Sequence, residues 1–513
     1  MKKGYKLPSK GARNQIAGFR YTPTILQNQE NIVRHLDPKP GNPIDARIRL
    51  RLPFLLSGAF APNAKAQRTT ARRPNILFIA VDDLNTDLGC YGHPVVRTPN
   101  LDQLARRGVR FDRAYAQYPV CNPSRTSLLS GRYPESTGVL DNNTSPRANL
   151  GNVPFLPQYL RGNGYFTARV GKIFHDGMDG EADWDLSLNP RPAGTIGRTG
   201  AGRNLTGGRL PYMEIREAEG SDEDQADGLI AAESVKLLEQ QRDQPFFLAV
   251  GFRKPHDPYI APKKYYEPYP QEKFADVPGP VNDREDIPKA AFPTMEEFLR
   301  QPEGREFRRA YYACISFMDA QLGKVLNALE RSPAAANTAI VFFGDHGLHL
   351  GEHGWWNKVT LFQRSVAVPL VIVPPRNSAA GTVCRQPVEL LDLYPTIAAM
   401  AGLRAPAGLQ GQSLLPQLKD PRTPRTRPAY SIVARGKGLI GRSIHTSRYA
   451  YTEWDEGRAG IELYDHAVDP HEYRNLSNES AYTATASELK QLLAKMKTTA
   501  ASAASQRASL PRP

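Results

Sequence analysis

Apolar runs that alternate with helical patterns predict an α/β fold. Three runs are rich in Ile, Leu, Val or Phe without polar alternation, and they span residues 75–81, 246–252 and 338–343. Such runs are typical of strands buried on both faces of a parallel sheet. Residues 368–373 form a fourth candidate. Strands that alternate with helices favour a mostly parallel sheet with helices on both faces.

The helices between these runs are predicted from their amphipathic patterns. Residues 101–107 stop before Gly108, a common helix end, and longer patterns span 226–242 and 305–331. Residues 176–220 are rich in Gly, Arg and Pro and predict a long loop or insertion. Residues 254–304, which contain many prolines and acids, also fall outside the predicted core.

A second, smaller domain is predicted near the carboxyl terminus. A Pro/Arg/Thr stretch at 419–427 marks the boundary, and short strands at 429–433, 448–454 and 462–464 follow, with a helix at 487–497. We therefore expect a catalytic domain over 74–425, a small α+β domain over 426–498 and a disordered tail over 499–513.

The net charge of +14 is concentrated near the amino terminus. Residues 1–66 contribute +9 of it, which leaves +5 for the rest of the chain, too little to favour nucleic-acid binding. Within that segment a basic region at Arg47–Arg51, an apolar stretch to Ala61 and Ala64-Lys65-Ala66 are typical of an export signal. The alternative is a disordered amino-terminal tail. We expect an exported protein that is periplasmic, on the cell surface or secreted.

Neither a membrane span nor a disulfide framework is predicted. No stretch of eighteen apolar residues occurs. The four cysteines include no CxxC pair, which argues against a zinc knuckle. Cys314 lies in an apolar helical pattern, and we expect it to be a buried thiol.

Charged residues follow the predicted buried strands. Asp82 and Asp83 follow the first, Lys254-Pro255-His256 the second, and Asp345 and His346 the third. Because sites in open α/β sheets form at the carboxyl ends of strands, these side chains should meet at one edge. Carboxylates are the ligands of hard divalent ions, so a Ca²⁺ or Mg²⁺ site is favoured over zinc. Taken one at a time, such aspartates are often only helix caps.

A second group of candidate functional residues lies in a short motif. The motif is Cys121-Asn122-Pro123-Ser124-Arg125, followed by Leu128-Leu129-Ser130-Gly131-Arg132. Pro123 fits the first turn of a helix, which places Cys121 at a helix start that favours an anion. Arg125, four residues later, lies on the same helix face. The alternative is a buried thiol beside a structural arginine.

This extended motif resembles the maturation signature of the formylglycine-dependent sulfatases. The resemblance covers most of residues 74–476 and is closest to the iduronate-2-sulfatase-like branch, through His346, Lys172-Ile173-Phe174-His175 and the run from Gly351 to Lys358. It implies an alkaline-phosphatase-like fold and a sulfuric ester hydrolase that acts on a sulfated polysaccharide or oligosaccharide. It also implies conversion of Cys121 to formylglycine by a formylglycine-generating or anaerobic maturase.

The resemblance assigns roles to individual residues. The Ca²⁺ ligands would be Asp82, Asp83, Asp345 and His346 together with residue 121. Arg125 and Lys172 would hold the formylglycine diol, and His175 would take its second proton when sulfate leaves. His256 would protonate the departing sugar oxygen with help from Lys358. His353 and Trp355 would either face the substrate or pack in the core, and His349 would be structural.

The chain departs from that branch in regions expected to face the substrate. Residues 176–220 have no recognisable match, and His445 follows Gly441-Arg442-Ser443 where the branch tends to carry a basic residue. The paired cysteines of some members have no counterpart here. Two alternatives stay open: a phosphate or phosphonate ester hydrolase on the same scaffold, and an inactive binder of sulfated glycans.

Overall fold

A computed structural model of the chain describes residues 72–507, except 179, 181–182, 241, 278, 294–298, 301 and 376–378. The predicted export signal in residues 1–66 and the last residues of the predicted tail lie outside the described residues. Within them, no helix is long and apolar enough to cross a membrane.

The strands, in chain order, are β1 (Asn75–Val81), β2 (Val109–Tyr115), β3 (Phe166–Gly171), β4 (Leu186–Leu188), β5 (Gly200–Asn204), β6 (Glu214–Ala218), β7 (Phe246–Phe252), β8 (Tyr259–Pro262), β9 (Thr338–Gly344), β10 (Ala367–Val373), β11 (Thr382–Cys384), β12 (Val388–Glu389), β13 (Ala429–Ala434), β14 (Ile440–His445), β15 (Tyr449–Trp454) and β16 (Gly460–Asp465). The α-helices are α1 (Pro99–Arg107), α2 (Cys121–Ser130), α3 (Pro134–Thr137), α4 (Pro146–Leu150), α5 (Leu156–Gly162), α6 (Ala226–Glu239), α7 (Glu303–Arg331), α8 (Gln363–Val366), α9 (Leu393–Met400), α10 (Leu415–Lys419) and α11 (Thr483–Arg507).

The central sheet has the strand order β11-β2-β10-β9-β1-β7-β3-β4, and β12 also pairs with β2. β9, β1, β7, β3 and β4 run parallel. β10 runs antiparallel to both of its neighbours, β9 and β2. The four predicted core strands are therefore adjacent, in the order β10-β9-β1-β7, and the mostly parallel sheet is confirmed.

The two faces of this sheet carry separate hydrophobic cores. Along β1, Leu77 and Ile79 pack into the core that includes helices α1, α6 and α7. Ile76 and Phe78 point to the opposite core, which includes α2, α5 and α9. All four side chains are fully buried, and each contributes about 1.5–3 kcal/mol through burial. Helices therefore cover both faces, as the unbroken apolar composition of β1 predicts.

The segment 176–220 contains more regular structure than predicted. It supplies β4 to the edge of the central sheet, and it supplies β5 and β6 to a small sheet of three strands in the order β5-β6-β8. These strands are rich in Gly, Arg and Glu and lie largely outside the cores. Their sequences therefore show no hydrophobic pattern from which strands could be predicted.

The carboxyl-terminal part forms an antiparallel sheet, β13-β14-β15-β16, together with α11. β14 was not among the predicted strands because its run IGRSIH is partly polar; it pairs with β13 and β15. α11 extends past residue 498, and the carbonyl of the buried Ala500 accepts a hydrogen bond from Ser136 Oγ (2.6 Å). The prediction of a disordered tail from residue 499 is therefore wrong at its start, because α11 packs on α3.

Candidate active site

The candidate site lies where the carboxyl ends of β9, β1, β7 and β3 meet at one edge of the sheet. Because these strands are parallel neighbours, the residues that follow them converge there. The backbone supports the arrangement: the Asp82 amide donates to Phe252 O (3.2 Å) and the Asp345 amide to Val81 O (3.1 Å). The acids and imidazoles that were predicted to meet at this edge thus follow three of these strands, β1, β7 and β9.

Cys121 is the first residue of α2 and is fully buried at the centre of this group. Its Sγ lies 3.3 Å from His346 Nε2, 3.6 Å from Lys358 Nζ and 3.9 Å from Asp83 Oδ1. Burial and the charge of Asp82 raise the pKa of the thiol, but the nearby cations outweigh them and hold it well below its usual range. The helix start and the cations together favour a negatively charged group at this position.

Asp83 adopts a left-handed backbone conformation with φ of 59° directly after β1. Aspartate tolerates this region better than most residues. The turn brings Asp83 Oδ1 to 2.6 Å from Lys358 Nζ and 3.3 Å from His346 Nε2, while the Asp83 amide donates to Asp345 Oδ1 (3.0 Å). Tyr311 on α7 holds the turn by donating its hydroxyl to the carbonyl of Asp83 (2.6 Å). The sequence carries no signal for this role of Tyr311, which lies within the apolar face of α7.

Arg125 connects the acids to one another from inside the protein. Its guanidinium is buried and donates to Asp345 Oδ2 (2.8 Å), Asp82 Oδ1 (3.0 Å) and the carbonyls of Lys172 (2.8 Å) and Ile173 (3.0 Å). A buried carboxylate without such partners would carry a large desolvation cost. In this structure Arg125 therefore binds the carboxylates and the end of β3, and its predicted contact with a modified residue 121 stays a prediction.

Two lysines complete the positive side of the site. Lys172, directly after β3, contacts Asp82 Oδ2 through its ammonium group, and Lys358 contacts Asp83 as described above. Burial lowers the pKa of both lysines, but the surrounding acids outweigh it and raise the pKa of Lys172 and of Lys358 above the ordinary value. Both side chains therefore carry positive charge in the buried site.

His256 stands at the open side of the group, with 26% of its side chain exposed. Its Nε2 lies 3.9 Å from Asp82 Oδ2, and its Nδ1 lies 2.8 Å from the carbonyl of Asp257. Burial disfavours the charged imidazole, but Asp83 and Asp82 outweigh it and raise the pKa of His256 to about 9. The neighbouring carboxylates therefore favour the protonated ring, which faces a cavity of about 440 Å³ that Asp82 and Lys172 also line.

The residues of this group fit a hard divalent cation. Ligand atoms of Asp82, Cys121, Asp345 and His346 lie within 4.8 Å of one another, and Asp83 joins Asp82, Cys121 and His256 in an overlapping group of the same size. Two of the four ligands in each group are carboxylates, the ligands that Ca²⁺ and Mg²⁺ prefer. His346 Nδ1 lies 3.0 Å from the carbonyl of Gly347, a contact that orients the ring towards the group.

His175 is the predicted site residue that the structure does not bring into this set of contacts. It follows Lys172 by three residues and is half-buried, and its Nδ1 has no hydrogen-bond partner among the described residues. Its predicted proton transfer with residue 121 stays a prediction.

The other histidines and the tryptophan singled out from the sequence are packing residues. His353 is buried, stacks on Phe362 and lies 2.9 Å from Asp283 through Nδ1. The buried Trp355 donates its indole N–H to the carbonyl of Lys358 (2.9 Å). His349 is fully buried, with Nε2 2.8 Å from Thr360 Oγ1, which agrees with its predicted structural role.

His445 does not face a substrate. It is fully buried and stacks on Tyr115 with ring centroids 4.4 Å apart. Burial lowers the pKa of its imidazole to about 3.

The four cysteines, all within the described residues, are free thiols, and Cys314 is buried as predicted.

Comparison with known proteins identifies the family. The family model described as Sulfatase matches residues 74–403. The chain belongs to the sulfatase family. A second model, described as N-sulphoglucosamine sulphohydrolase, C-terminal, matches residues 351–499. The protein is therefore a sulfuric ester hydrolase, and its described fold is the alkaline-phosphatase-like fold of that family.

Two curated relatives extend the match over most of the chain. A sulfatase of Formosa agariphila is 33% identical over 83% of this chain and 87% of its own length. Iduronate 2-sulfatase of Mus musculus is 32% identical over 87% of this chain and 98% of its own.

Solved structures share the fold of this sulfatase. A 2-O GAG sulfatase is 25% identical with a TM-score of 0.67, and the match covers 84% of this chain and 93% of that one. The phosphonate monoester hydrolase of Agrobacterium radiobacter is 24% identical with a TM-score of 0.69, and the match covers 83% and 96%. The second likeness shows a common fold alone.

Proposed function

We propose that this sulfatase removes sulfate from a sulfated polysaccharide or oligosaccharide, in the manner of iduronate 2-sulfatase. The observation that carries the proposal is the position of Cys121: it is buried at the start of α2, between Lys358 and His346 and beside the carboxylates. The similarity to iduronate 2-sulfatase over 98% of that protein's length supports a sugar substrate. A 2-O-sulfated uronic acid is the preferred candidate.

Two groups would complete the site. Asp82, Asp83, Asp345, His346 and residue 121 would hold a Ca²⁺ ion, which when bound supplies positive charge for the sulfate oxygens. Cys121 would be converted to formylglycine by a formylglycine-generating or anaerobic maturase, and the hydrated aldehyde would supply the oxygen that attacks sulfur. The conversion requires that maturase as a partner, and the predicted export would place the protein in the periplasm, on the cell surface or in the medium.

The remaining side chains bind charge and move protons. Lys172 and Lys358 would neutralise sulfate oxygens, since both ammonium groups already contact the carboxylates at the centre of the site. Arg125 fixes Asp82 and Asp345 and would help to hold the modified residue. His256, which is protonated and partly open to the cavity, would give its proton to the departing sugar oxygen. His175 would accept the proton released when sulfate leaves residue 121.

A phosphate or phosphonate ester hydrolase is the second candidate, because the phosphonate monoester hydrolase shares the fold and phosphate resembles sulfate in shape. Rates on sulfate and phosphate esters of the same alcohol separate the two candidates. An inactive glycan binder would lack catalytic positions, and here every position expected from the family is filled.

The test is sulfate release from a 2-O-sulfated uronate disaccharide by protein matured on Cys121, with conversion verified by peptide mass. Cys121→Ala should reduce release by at least about a thousandfold, because covalent catalysis is lost. The variant should still fold, since the substitution removes one sulfur atom at a helix end. Release at the parent rate by Cys121→Ala would refute the mechanism.

A further inference from the structure

The segment 176–220 lines the cavity at the candidate active site. Asp82, Lys172 and His256 of the proposed site are among the residues that line this cavity of about 440 Å³. Arg191 and Arg198 of the segment also line it, together with Arg253, which directly follows β7. A substrate whose sulfate lies against Lys172 and His256 would therefore share the cavity with these arginines.

Arg253 is already used by the protein. Only 12% of its side chain is exposed, and it forms a bidentate ion pair with Asp176, at 2.9 Å from Nη1 and 2.8 Å from Nη2. Nη2 also donates to Asn189 Oδ1 (3.1 Å). Bidentate pairs of this kind are strong and directional. Arg253 thus holds the start of the segment in place, and both carboxylate oxygens of Asp176 are already paired with it.

Arg191 and Arg198 are engaged far less. Their side chains are 49% and 53% exposed. Among the residues that the structure describes, Arg191 makes one hydrogen bond, of 3.2 Å to Asp176, whose carboxylate is already paired with Arg253. Within the same residues Arg198 makes one, of 3.4 Å to Glu214. A guanidinium carries five N–H donors in a planar fork that matches carboxylate and sulfate groups. Most of the donors of these two arginines therefore remain for a ligand in the cavity.

The cationic side chains that line the cavity outnumber the acids: Lys172, Arg191, Arg198, Arg253, Lys254 and His256 against Asp82, Asp176, Asp227 and Asp257. Asp227 accepts hydrogen bonds from the backbone amides of Arg253 (2.8 Å) and Lys254 (2.9 Å). Asp257 Oδ1 lies 3.3 Å from His256 Nδ1. Ile196, which lies between Arg191 and Arg198 in the chain and is 51% exposed, adds an apolar surface to the cavity. An apolar surface beside cationic donors suits a sugar ring that carries an anionic substituent.

We propose that Arg191 and Arg198 form a subsite for a second anionic group of the substrate, a carboxylate or a further sulfate, on the sugar that carries the scissile ester or on its neighbour. The proposal deepens the proposed function and rests on it. It makes the segment 176–220 the determinant of which sulfated sugar the enzyme accepts. Sulfate esters of uncharged alcohols lack the second anionic group and gain nothing from the subsite.

Arg191→Met, Arg198→Met and the double variant test the subsite. Arg203→Met is the matched control: Arg203 lies in the same segment and is also 49% exposed, but it pairs with Glu306 away from this cavity. For each protein, kcat/KM is measured on a 2-O-sulfated uronate disaccharide and on 4-nitrophenyl sulfate, whose only anionic group is the scissile sulfate. The ratio of the two values should fall roughly tenfold or more per arginine, the effect of a charged hydrogen bond, and Arg203→Met should keep the parent ratio.

Modified disaccharides identify the anion. If reducing the carboxylate to an alcohol removes the difference between parent and Arg191→Met, the subsite binds the carboxylate. If removing a further sulfate does so instead, it binds that sulfate. An unchanged ratio in the double variant on every anionic disaccharide would overturn the subsite.

Binding separates this proposal from the proposed function. Affinity for the same disaccharide is measured by calorimetry on Cys121→Ala protein, with and without the double arginine substitution. If matured parent protein cleaves no sulfate ester, the proposed function fails, while a tenfold loss of affinity still supports the subsite. Equal affinity of the two proteins would overturn the subsite whatever the parent enzyme cleaves.

Discussion

At the level of single residues, the activity and the stability of the site both depend on the pairing of buried acids with buried cations. Asp82, Asp83 and Asp345 are each nearly or fully buried, and Lys172, Lys358 and Arg125 contact them. Removing one partner of such a pair costs about 3–5 kcal/mol, because the other charge stays buried. Activity and stability are therefore coupled at these six positions, and substitutions there affect both.

His256 allows a cleaner test, because it lies at the open side and is only partly buried. His256→Gln removes the proposed proton donor, so kcat on a sugar sulfate, whose leaving alcohol needs a proton, should fall about a hundredfold or more. On 4-nitrophenyl sulfate, whose leaving group is stable as an anion, the loss should stay below about tenfold. Steady-state rates on both substrates provide the measurement.

The exposed His471 offers the control for that substitution. His471→Gln should leave both rates at the parent value. A loss of the same size on both substrates in His256→Gln would mean that the imidazole binds sulfate rather than protonating the leaving group.

Among secondary-structure elements, two glycines let β3 and β7 end close together beneath the site. Gly171, with φ of 84°, pairs with Gly251, and the next amide, of Lys172, donates to Gly251 O (2.9 Å). A Cβ on Gly251 would lie 2.0 Å from the carbonyl oxygen of Lys172. Because these two glycines have no side chains, β3 and β7 can approach closely enough to place Lys172 beside Asp82.

Gly251→Ala should push the end of β3 away from β7. Overpacking typically costs about 1–3 kcal/mol, and displacement of Lys172 should lower kcat by about tenfold or more. Urea unfolding and sulfate release measure the two effects.

Gly162→Ala is the matched control. It lies at the end of α5, and a Cβ there would meet nothing within 4 Å. Alanine favours the helix by about 0.5–1 kcal/mol, so this variant should be as stable as the parent or more so. If both substitutions behaved alike, the close approach of β3 and β7 would not position Lys172.

At the scale of the whole molecule, the carboxyl-terminal sheet supports the active site from outside. Ser431 Oγ donates to Ala116 O (2.6 Å) and the Ile432 amide to Gln117 O (2.9 Å), in the segment that leads to Cys121. Arg435 donates to the carbonyl of Val359 (2.6 Å), next to Lys358. The boundary predicted at residue 425 therefore does not separate parts with independent functions. β13 and the loop after it contact the segment that leads to Cys121 and the residue that follows Lys358.

The proposed Ca²⁺ site would connect β1, α2 and β9, so ion binding should stabilise the whole folded chain. Calcium at one hundred times its Kd should add about 2.7 kcal/mol to the free energy of unfolding. Chelation should therefore lower Tm, which differential scanning calorimetry measures. In Asp345→Asn the difference in Tm with and without calcium should shrink or vanish.

Asp319→Asn provides the comparison for that shift. Asp319 is also buried, but it accepts hydrogen bonds from the amides of Asn100 and Leu101 at the start of α1. This variant should lose stability through its lost acceptor and should keep the full calcium-dependent difference in Tm. A parent-size difference in Asp345→Asn would remove Asp345 from the set of ligands.

The central strands, the acids that follow them and the Cys121 motif could be predicted from the amino-acid sequence alone. These features are local: an apolar run and the charged residues that follow it are adjacent in the chain, so their pattern can be read without the fold. The positions of Arg191 and Arg198 at the cavity, of Tyr311 behind Asp83 and of His445 inside the core became apparent only in the folded chain. Those positions depend on contacts between residues far apart in the chain, and no local hydrophobic period or motif encodes such contacts.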